Sequence, residues 1–186
     1  MESKRVVHVI DDEETIRKAV GFTLRTAGFA VETYGSGVDF LKIADEAERG
    51  SIVLDMHMPD MNGLQVQAAL TQMDISMPVV MLTGNGDIAL AVQAMKAGAV
   101  DFLAKPIERA LLLDAIDRAF ARIDTAEGRA LEGLAQGLPN KTIAYDLGIS
   151  SRTVEVHRAS IMSKLGVRTL AETLRIAFAA GMGRPL

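Results

Sequence analysis

Two hydrophobic rhythms divide the chain. Up to about residue 120, short runs rich in β-branched and apolar residues alternate with stretches whose apolar residues recur at helical spacing. The runs Val6–Ile10, Ala30–Tyr34, Ser51–Leu54, Val79–Leu82 and Val100–Leu103 predict strands. Several are almost continuously apolar, as parallel strands covered on both faces must be. The spacing predicts helices over Glu13–Thr26, Val38–Glu48, Leu64–Met73, Ile88–Ala97 and Ile107–Ile123, with Gly28 and Gly98 at the ends of two of them. Five such βα units predict an α/β doubly wound, five-stranded parallel sheet.

From Asp124 the strand signal stops. Asp124-Thr125-Ala126-Glu127 has the form of a capping box opening a helix to Gln136, and Gly137-Leu138-Pro139 breaks it. Asn140 is placed to cap a second helix that ends at Leu147 before Gly148. Ser150 or Ser151 caps a third to Leu165. After the turn Gly166-Val167-Arg168, Thr169 starts a last helix to Ala180. These predict an all-α, four-helix helix-turn-helix domain over 123–186, following a first domain over 1–122.

Composition and charge narrow the picture. The 186 residues are 49% apolar and 24% charged, enough for a packed core. With no cysteine there are no disulfides, thiolate metal sites or cysteine nucleophiles. No apolar stretch approaches the roughly 20 residues of a membrane span, and Met1–Ile10 has no signal-cleavage pattern, so the expectation is a cytoplasmic protein without a membrane partner. Residues 1–123 carry 12 basic and 18 acidic side chains, whereas 124–186 carry 8 and 6. An acidic module joined to a mildly basic one implies different partners.

The chemistry gathers at the carboxyl ends of the predicted strands. Asp11 and Asp12 follow the first strand and Asp55 follows the third. In the strand order 2-1-3-4-5 these strands are neighbours at the topological switch point, where ligands bind. Three carboxylates meeting there repel one another unless a cation neutralises them. Hard oxygens with room for water suit Mg²⁺. Thr83 ends the fourth strand and Lys105 the fifth, so a hydroxyl and an ammonium converge on the same edge, able to hold phosphoryl oxygens. A carboxylate can attack phosphorus to form an aspartyl phosphate. Taken singly, an acidic pair after a strand is usually a turn or helix cap; the joint placement of five residues carries the reading.

The segments Val9-Ile-Asp11-Asp12-Glu13-Glu14, Val53-Leu-Asp55-Met-His-Met-Pro59-Asp-Met-Asn-Gly63, Met81-Leu-Thr83-Gly and Asp101-Phe102-Leu-Ala-Lys105-Pro106 resemble a two-component response-regulator receiver. The resemblance implies Asp55 as phosphoacceptor and a sensor histidine kinase as donor. It implies Mg²⁺ on Asp11, Asp12, Asp55 and the backbone carbonyl of His57, with Thr83 and Lys105 touching the phosphoryl group. Such a protein phosphorylates itself and is not a turnover enzyme on an external substrate. Phe102 stands where the family has a switching aromatic, alongside Thr83; a core aromatic on the fifth strand is the plainer expectation. Any switching repacks the loop Gly84–Asp87 and the following helix. The His57 side chain either shapes water access to the acceptor or is merely exposed.

Leu138-Pro-Asn-Lys141-Thr-Ile-Ala-Tyr-Asp-Leu-Gly148-Ile-Ser-Ser-Arg152-Thr153-Val154-Glu155-Val156-His157-Arg158 resembles the FixJ/NarL (LuxR-type) DNA-binding domain, and Ile161-Met-Ser-Lys164-Leu165-Gly166-Val167 continues the match. By spacing, Val154, Ile161 and Leu165 share the side of the third helix that packs inward, and Glu155, Val156, Ala159 and Ser163 share another. The resemblance implies base contacts from Glu155, Val156 and Ala159. Lys141, Arg152, Thr153, His157, Arg158 and Lys164 complete the expected DNA-binding set, each basic residue otherwise a solvated charge. Double-stranded DNA, a homodimer formed on phosphorylation and RNA polymerase are the implied partners. The last helix, with Leu170, Leu174 and Phe178 on one face, packs within the domain or adds to a DNA-bound dimer.

One segment departs from the pattern. Where the family has Leu-Thr-x-Arg-Glu-x-Glu-Val-Leu, this chain has Ile123-Asp-Thr-Ala-Glu-Gly-Arg-Ala-Leu131, read as losing the Arg-Glu pair and gaining Gly128. With so short a junction, the last receiver helix is expected to run nearly straight into the next and couple the domains closely. The altered segment leaves open a second function, a receiver-linked protein-interaction module that has lost DNA binding. A phosphatase of the haloacid-dehalogenase type also uses an Asp nucleophile, but needs a carboxylate two residues later, where this chain has His57.

Overall fold

The computed structural model describes residues 5–84, 88–180 and 182. In chain order the elements are β1 (Val6–Ile10), α1 (Glu14–Thr26), β2 (Ala30–Tyr34), α2 (Gly37–Ile43), β3 (Gly50–Asp55), α3 (Gly63–Gln72), β4 (Val79–Thr83), α4 (Ile88–Lys96), β5 (Asp101–Ala104), α5 (Arg109–Ala135), α6 (Asn140–Leu147), α7 (Ser151–Leu165) and α8 (Leu170–Ala179). They fall into two compact units, residues 4–122 and the unit running on from Ile123.

In the first unit five parallel strands stand in the order β2-β1-β3-β4-β5. The three inner strands are wholly buried, whereas β2 and β5 at the edges are only partly so. That difference follows the sequence: VVHVI, GSIVLD and VVMLT tolerate cover on both faces, while AVETY and DFLA carry charge outward. Alternate strand residues split between two cores. Ile10, Ile52, Leu54 and Met81 pack with Phe40 of α2, Val66 and Leu70 of α3 and Ala94 of α4. The opposite parity, Val7, Val9, Val53, Val80 and Leu82, is buried as well, as are Leu24 of α1 and Leu112, Ile116 and Phe120 of α5. Phe29 stacks on Phe120 with ring centroids 5.7 Å apart, and Arg5 lies 5.2 Å over the same ring.

The second unit joins the end of α5 to α6, α7 and α8 around Ala130, Leu134, Ile143, Ala144, Val154 and Ile161. Its helix ends obey local chemistry. Ser150 accepts from the Thr153 N–H, Gly148 and Gly166 close α6 and α7 at φ 65° and 66°, and Thr169 with Glu172 forms a full capping box on α8.

Four expectations are corrected. The capping box at Asp124 is not realised: α5 runs unbroken from Arg109 to Ala135, because no proline interrupts the stretch and Gly128 has open space around it. The continuous helix also read from the short junction is the one that forms. Asn140 is the first residue of α6 and not its cap; Pro139 holds that position at φ −61°, and its carbonyl accepts from the N–H groups of Thr142 and Ile143. The helix expected over Val38–Glu48 stops at Ile43, where the chain turns back through the Glu46 and Ala47 N–H groups onto the Ile43 carbonyl. Leu165, expected inside, is 36% exposed at the last turn of α7, beyond the reach of the core.

Candidate functional site

The switch point lies between β1 and β3, and the residues expected there converge on it. Carboxylate oxygens of Asp11, Asp12 and Asp55 lie within 4.8 Å of one another. Asp11 and Asp55 are buried and Asp12 is exposed, so the cluster opens on one side. Lys105, beyond β5 and joined to Pro106 by a cis peptide, brings Nζ to 2.9 Å from Asp11 Oδ2, 3.1 Å from Asp55 Oδ1 and 3.4 Å from Glu13 Oε1. Thr83 is buried at the end of β4.

Several contacts fix this geometry. Asp11 Oδ1 accepts from the Glu13 N–H at 2.9 Å, and Arg17 Nη1 donates to the carbonyls of Asp11 and Asp12 at 2.6 and 2.9 Å. Beneath the acceptor strand, a Cβ on Gly63 would stand 2.7 Å from the Asp55 carbonyl oxygen and 2.7 Å from Met81 Sδ, so only glycine fits. Asn62 and Gln65 cap α3 reciprocally, anchoring the far end of the loop that leaves Asp55. Gly63 closes the motif that the sequence reading quotes around Asp55, without a role there; Arg17 is absent from that reading. Its one signal in the sequence is a place in the first turn of the helix that follows the acidic pair.

Electrostatically the pocket is unfinished. Burial and the charge of Asp11 push the Asp55 carboxyl up, more than Lys105 pulls it down. Burial also opposes the charge on Lys105, but Asp11 and Asp55 together hold its ammonium well above the usual lysine range. Asp11 Oδ2 meets Lys105 at ion-pair distance without the alignment of a hydrogen bond, and is otherwise a buried acceptor without a donor. A spare buried carboxylate oxygen, in a cluster of hard oxygens open on the Asp12 side, fits Mg²⁺.

One switch expectation changes. Phe102 is not a core aromatic: it is 43% exposed on the edge strand β5, because the pleat there turns Leu103 inward instead. In the expected switch loop Gly84–Asp87, residues 85–87 lie outside the described residues. His57 is exposed just beyond β3.

In the second unit α7 presents two faces. Arg152, Glu155 and Ala159 are exposed and Val156 and Arg158 half-buried, while Lys141 is exposed on α6. Thr153 and His157 are placed differently from the expectation. Thr153 is 1% exposed, its hydroxyl 3.0 Å from Ser150 Oγ in the cap, and His157 is 7% exposed. Buried side chains of this kind support the helix instead of reaching from it. Lys164 is also engaged within the unit: its Nζ lies 2.6 Å from Glu127 Oε2 and 3.4 Å from Asp124 Oδ1. Burial opposes its charge, but the hydrogen bond to Glu127 and the two carboxylates outweigh it and raise the ammonium. The reading of 123–131 as having lost the Arg-Glu pair is therefore half wrong. The glutamate of that pattern is present as Glu127, buried and bonded to Ser160 Oγ at 2.8 Å as well.

Comparison with known proteins accounts for both units. The family described as "Response regulator receiver domain" matches residues 7–117, and "Bacterial regulatory proteins, luxR family" matches residues 127–177. The chain is similar to the transcriptional regulatory protein FixJ of Rhizobium meliloti, at 42% identity over 95% of this chain and 97% of that protein. FixJ of Azorhizobium caulinodans is 40% identical over 95% and 93%. Among solved structures, full-length FixJ from B. japonicum is 36% identical, covering 98% of this chain and all of that one with a TM-score of 0.62. No helix among the described residues is long and apolar enough to cross a membrane. An acidic pocket at the switch point of one unit and a helix-turn-helix in the other, matched in that order along one chain, make it a two-component response regulator of the FixJ/NarL family, a transcriptional regulator with a LuxR-type DNA-binding domain.

Proposed function

We propose that Asp55 accepts a phosphoryl group from a sensor histidine kinase and that the modified protein dimerises on a two-fold DNA operator. The observation that carries this is the convergence of Asp11, Asp12, Asp55, Thr83 and Lys105 on one sheet edge. Ionised Asp55 attacks phosphorus, the P–N bond to the kinase histidine breaks, and its electron pair and a proton end on the imidazole. Asp11, Asp12, Asp55 and the His57 carbonyl would hold Mg²⁺. When bound, it neutralises the acidic cluster and the charge developing on the phosphoryl oxygens. Lys105 clamps the product from the position it already holds beside Asp55, and the Thr83 hydroxyl supplies a donor.

A phosphate adds about −1.5 to −2 charge where carboxylates already compete for one lysine. Drawing Thr83 and Lys105 toward it biases the α4–β5–α5 face. There Val92, Met95, Phe102 and Leu111 are 41–50% exposed, an apolar surface suited to pairing with a second copy. Phe102 has no hydroxyl, so it switches by packing. Two α7 helices then meet half-sites about one DNA turn apart, with Glu155, Val156 and Ala159 toward base edges and Lys141, Arg152 and Arg158 toward phosphates. RNA polymerase is the downstream partner in the cytoplasm. The protein-interaction alternative loses its main support, because the departing segment 123–131 retains its glutamate in the fold.

Selection from random duplexes, with and without acetyl phosphate and Mg²⁺ and beside Asp55→Asn, tests this reading. A palindromic site that needs phosphorylation and vanishes in the variant is expected. Equal enrichment without phosphate overturns Asp55 as the control, and no enrichment overturns DNA binding.

A further inference from the structure

We infer that Glu127 is a positioning residue for DNA binding: with Ser160 and Lys164 it forms a two-point polar clamp that sets the recognition helix α7, and Lys164 itself touches no phosphate. The inference rests on the reading that this unit binds DNA. All three residues belong to the unit beginning at Ile123.

The two oxygens of one carboxylate take two different donors. Oε1 accepts from Ser160 Oγ at 2.8 Å and Oε2 from Lys164 Nζ at 2.6 Å, with Glu127 only 7% exposed. Ser160 and Lys164 are four residues apart on α7 and so stand one above the other, about one turn apart. A rotation of α7 by one residue, about 100°, or a slide by one turn would break both bonds. The shared apolar cluster of Ala130, Leu134, Ile143, Ala144, Val154 and Ile161 fixes which face of α7 turns inward but is less exacting about small shifts in its angle, since cores accept modest repacking. The polar clamp therefore defines the angle at which Arg152, Glu155 and Ala159 are presented. For Lys164 to bind a phosphate it would have to leave Glu127, stranding a buried carboxylate, which is costly. A free surface lysine would suffer no such loss.

The test uses the full chain, treated with acetyl phosphate and Mg²⁺, on the duplex enriched from the random pool. Binding is measured as a function of salt for the parent, Glu127→Gln, Ser160→Ala, Lys164→Met and Lys164→Arg, well below each protein's melting temperature. We expect Lys164→Met and Glu127→Gln each to weaken binding about tenfold, the loss that accompanies a broken hydrogen bond to a charged group. Ser160→Ala should cost less, and Lys164→Arg should restore much of the affinity. The double variant Glu127→Gln/Lys164→Met should be no weaker than the worse single one. The slope of log affinity against log salt should equal the parent's in every case. A slope reduced by roughly 0.9 in Lys164→Met alone makes Lys164 a phosphate contact and overturns the inference. Lowered melting temperatures with unchanged affinity overturn it too, leaving a purely structural tie. If the parent binds no duplex, the DNA-binding reading falls and this one with it; parental binding with Glu127→Gln unaffected sinks this one alone.

Discussion

Among the described residues, two lysines stand between carboxylates, and their difference separates a site from a strut. Lys105 stands between Asp11 and Asp55, and Lys164 between Glu127 and Asp124. In both, burial works against the ammonium and its acidic neighbours overcome it. Around Lys164 the polar groups close on one another, since both oxygens of Glu127 have donors. Around Lys105 the carboxylates of Asp11, Asp55 and Glu13 share one cation, and a buried oxygen of Asp11 is left without an aligned hydrogen bond. Identical chemistry with nothing left over holds helices together; with acceptor capacity left over it waits for a ligand.

The comparison can be broken most directly at Asp55. Asp55→Asn should abolish labelling by radioactive acetyl phosphate, while Lys164→Met leaves it intact; residual stoichiometric labelling of the Asn variant would move the acceptor elsewhere. The same variant carries a pH signature in metal-free protein. The folded Asp55 carboxyl is raised above its ordinary 3.8, so its ionisation at neutral pH opposes folding. Asp55→Asn should therefore melt higher than the parent at pH 7, with the gap closing as pH falls through the raised value.

Metal binding comes next in size. Mg²⁺ at a hundredfold excess over its Kd should stabilise the receiver unit by about 2.7 kcal/mol, reversed by EDTA. Asp11→Asn should lose most of that shift and Glu127→Gln none. Calorimetry of the two transitions would separate them, and an equal response in both variants would remove the distinction between pocket and clamp.

Smaller effects sharpen the closed side. The Lys164 ammonium is raised above 10.5, so its contribution is present at neutral pH and lost as pH rises through the folded value. Lys164→Met should lower melting of the helical unit by roughly a few degrees at pH 7, less than a dry pair would because the side chain is 36% exposed. The deficit should vanish in strong alkali. Thr169→Ala, which opens the exposed capping box with Glu172, should cost about 1 kcal/mol in a thermal melt at any pH from 6 to 9.

Legibility in the sequence tracked how local the cause was. The sheet order and the pocket could be read because strand ends and their acidic residues are neighbours in sequence, and the topology brings them together by rule. Ser150, Thr169, Gly148 and Gly166 were legible because caps involve residues three or four apart. What the sequence leaves hidden has one origin. Lys164 reads as a basic residue on a recognition helix, and only the fold brings a carboxylate 37 positions away against it. Thr153 and His157 looked equally available until packing buried them. Phe102 looked apolar enough for a core, but an edge strand has only one covered side.

By itself the sequence determined the strand and helix periodicities, the Asp11–Asp12 and Asp55 placement, the caps that start α7 and α8 and the glycines that close α6 and α7, because each depends on near neighbours along the chain. The tertiary structure alone decided which charges remain open. It paired Lys164 with Glu127 and left Asp11 Oδ2 beside the Lys105 ammonium without an aligned hydrogen bond. Whether a charged group is satisfied depends on what distant segments bring within about 3 Å of it, and that distance is set only when the chain has packed.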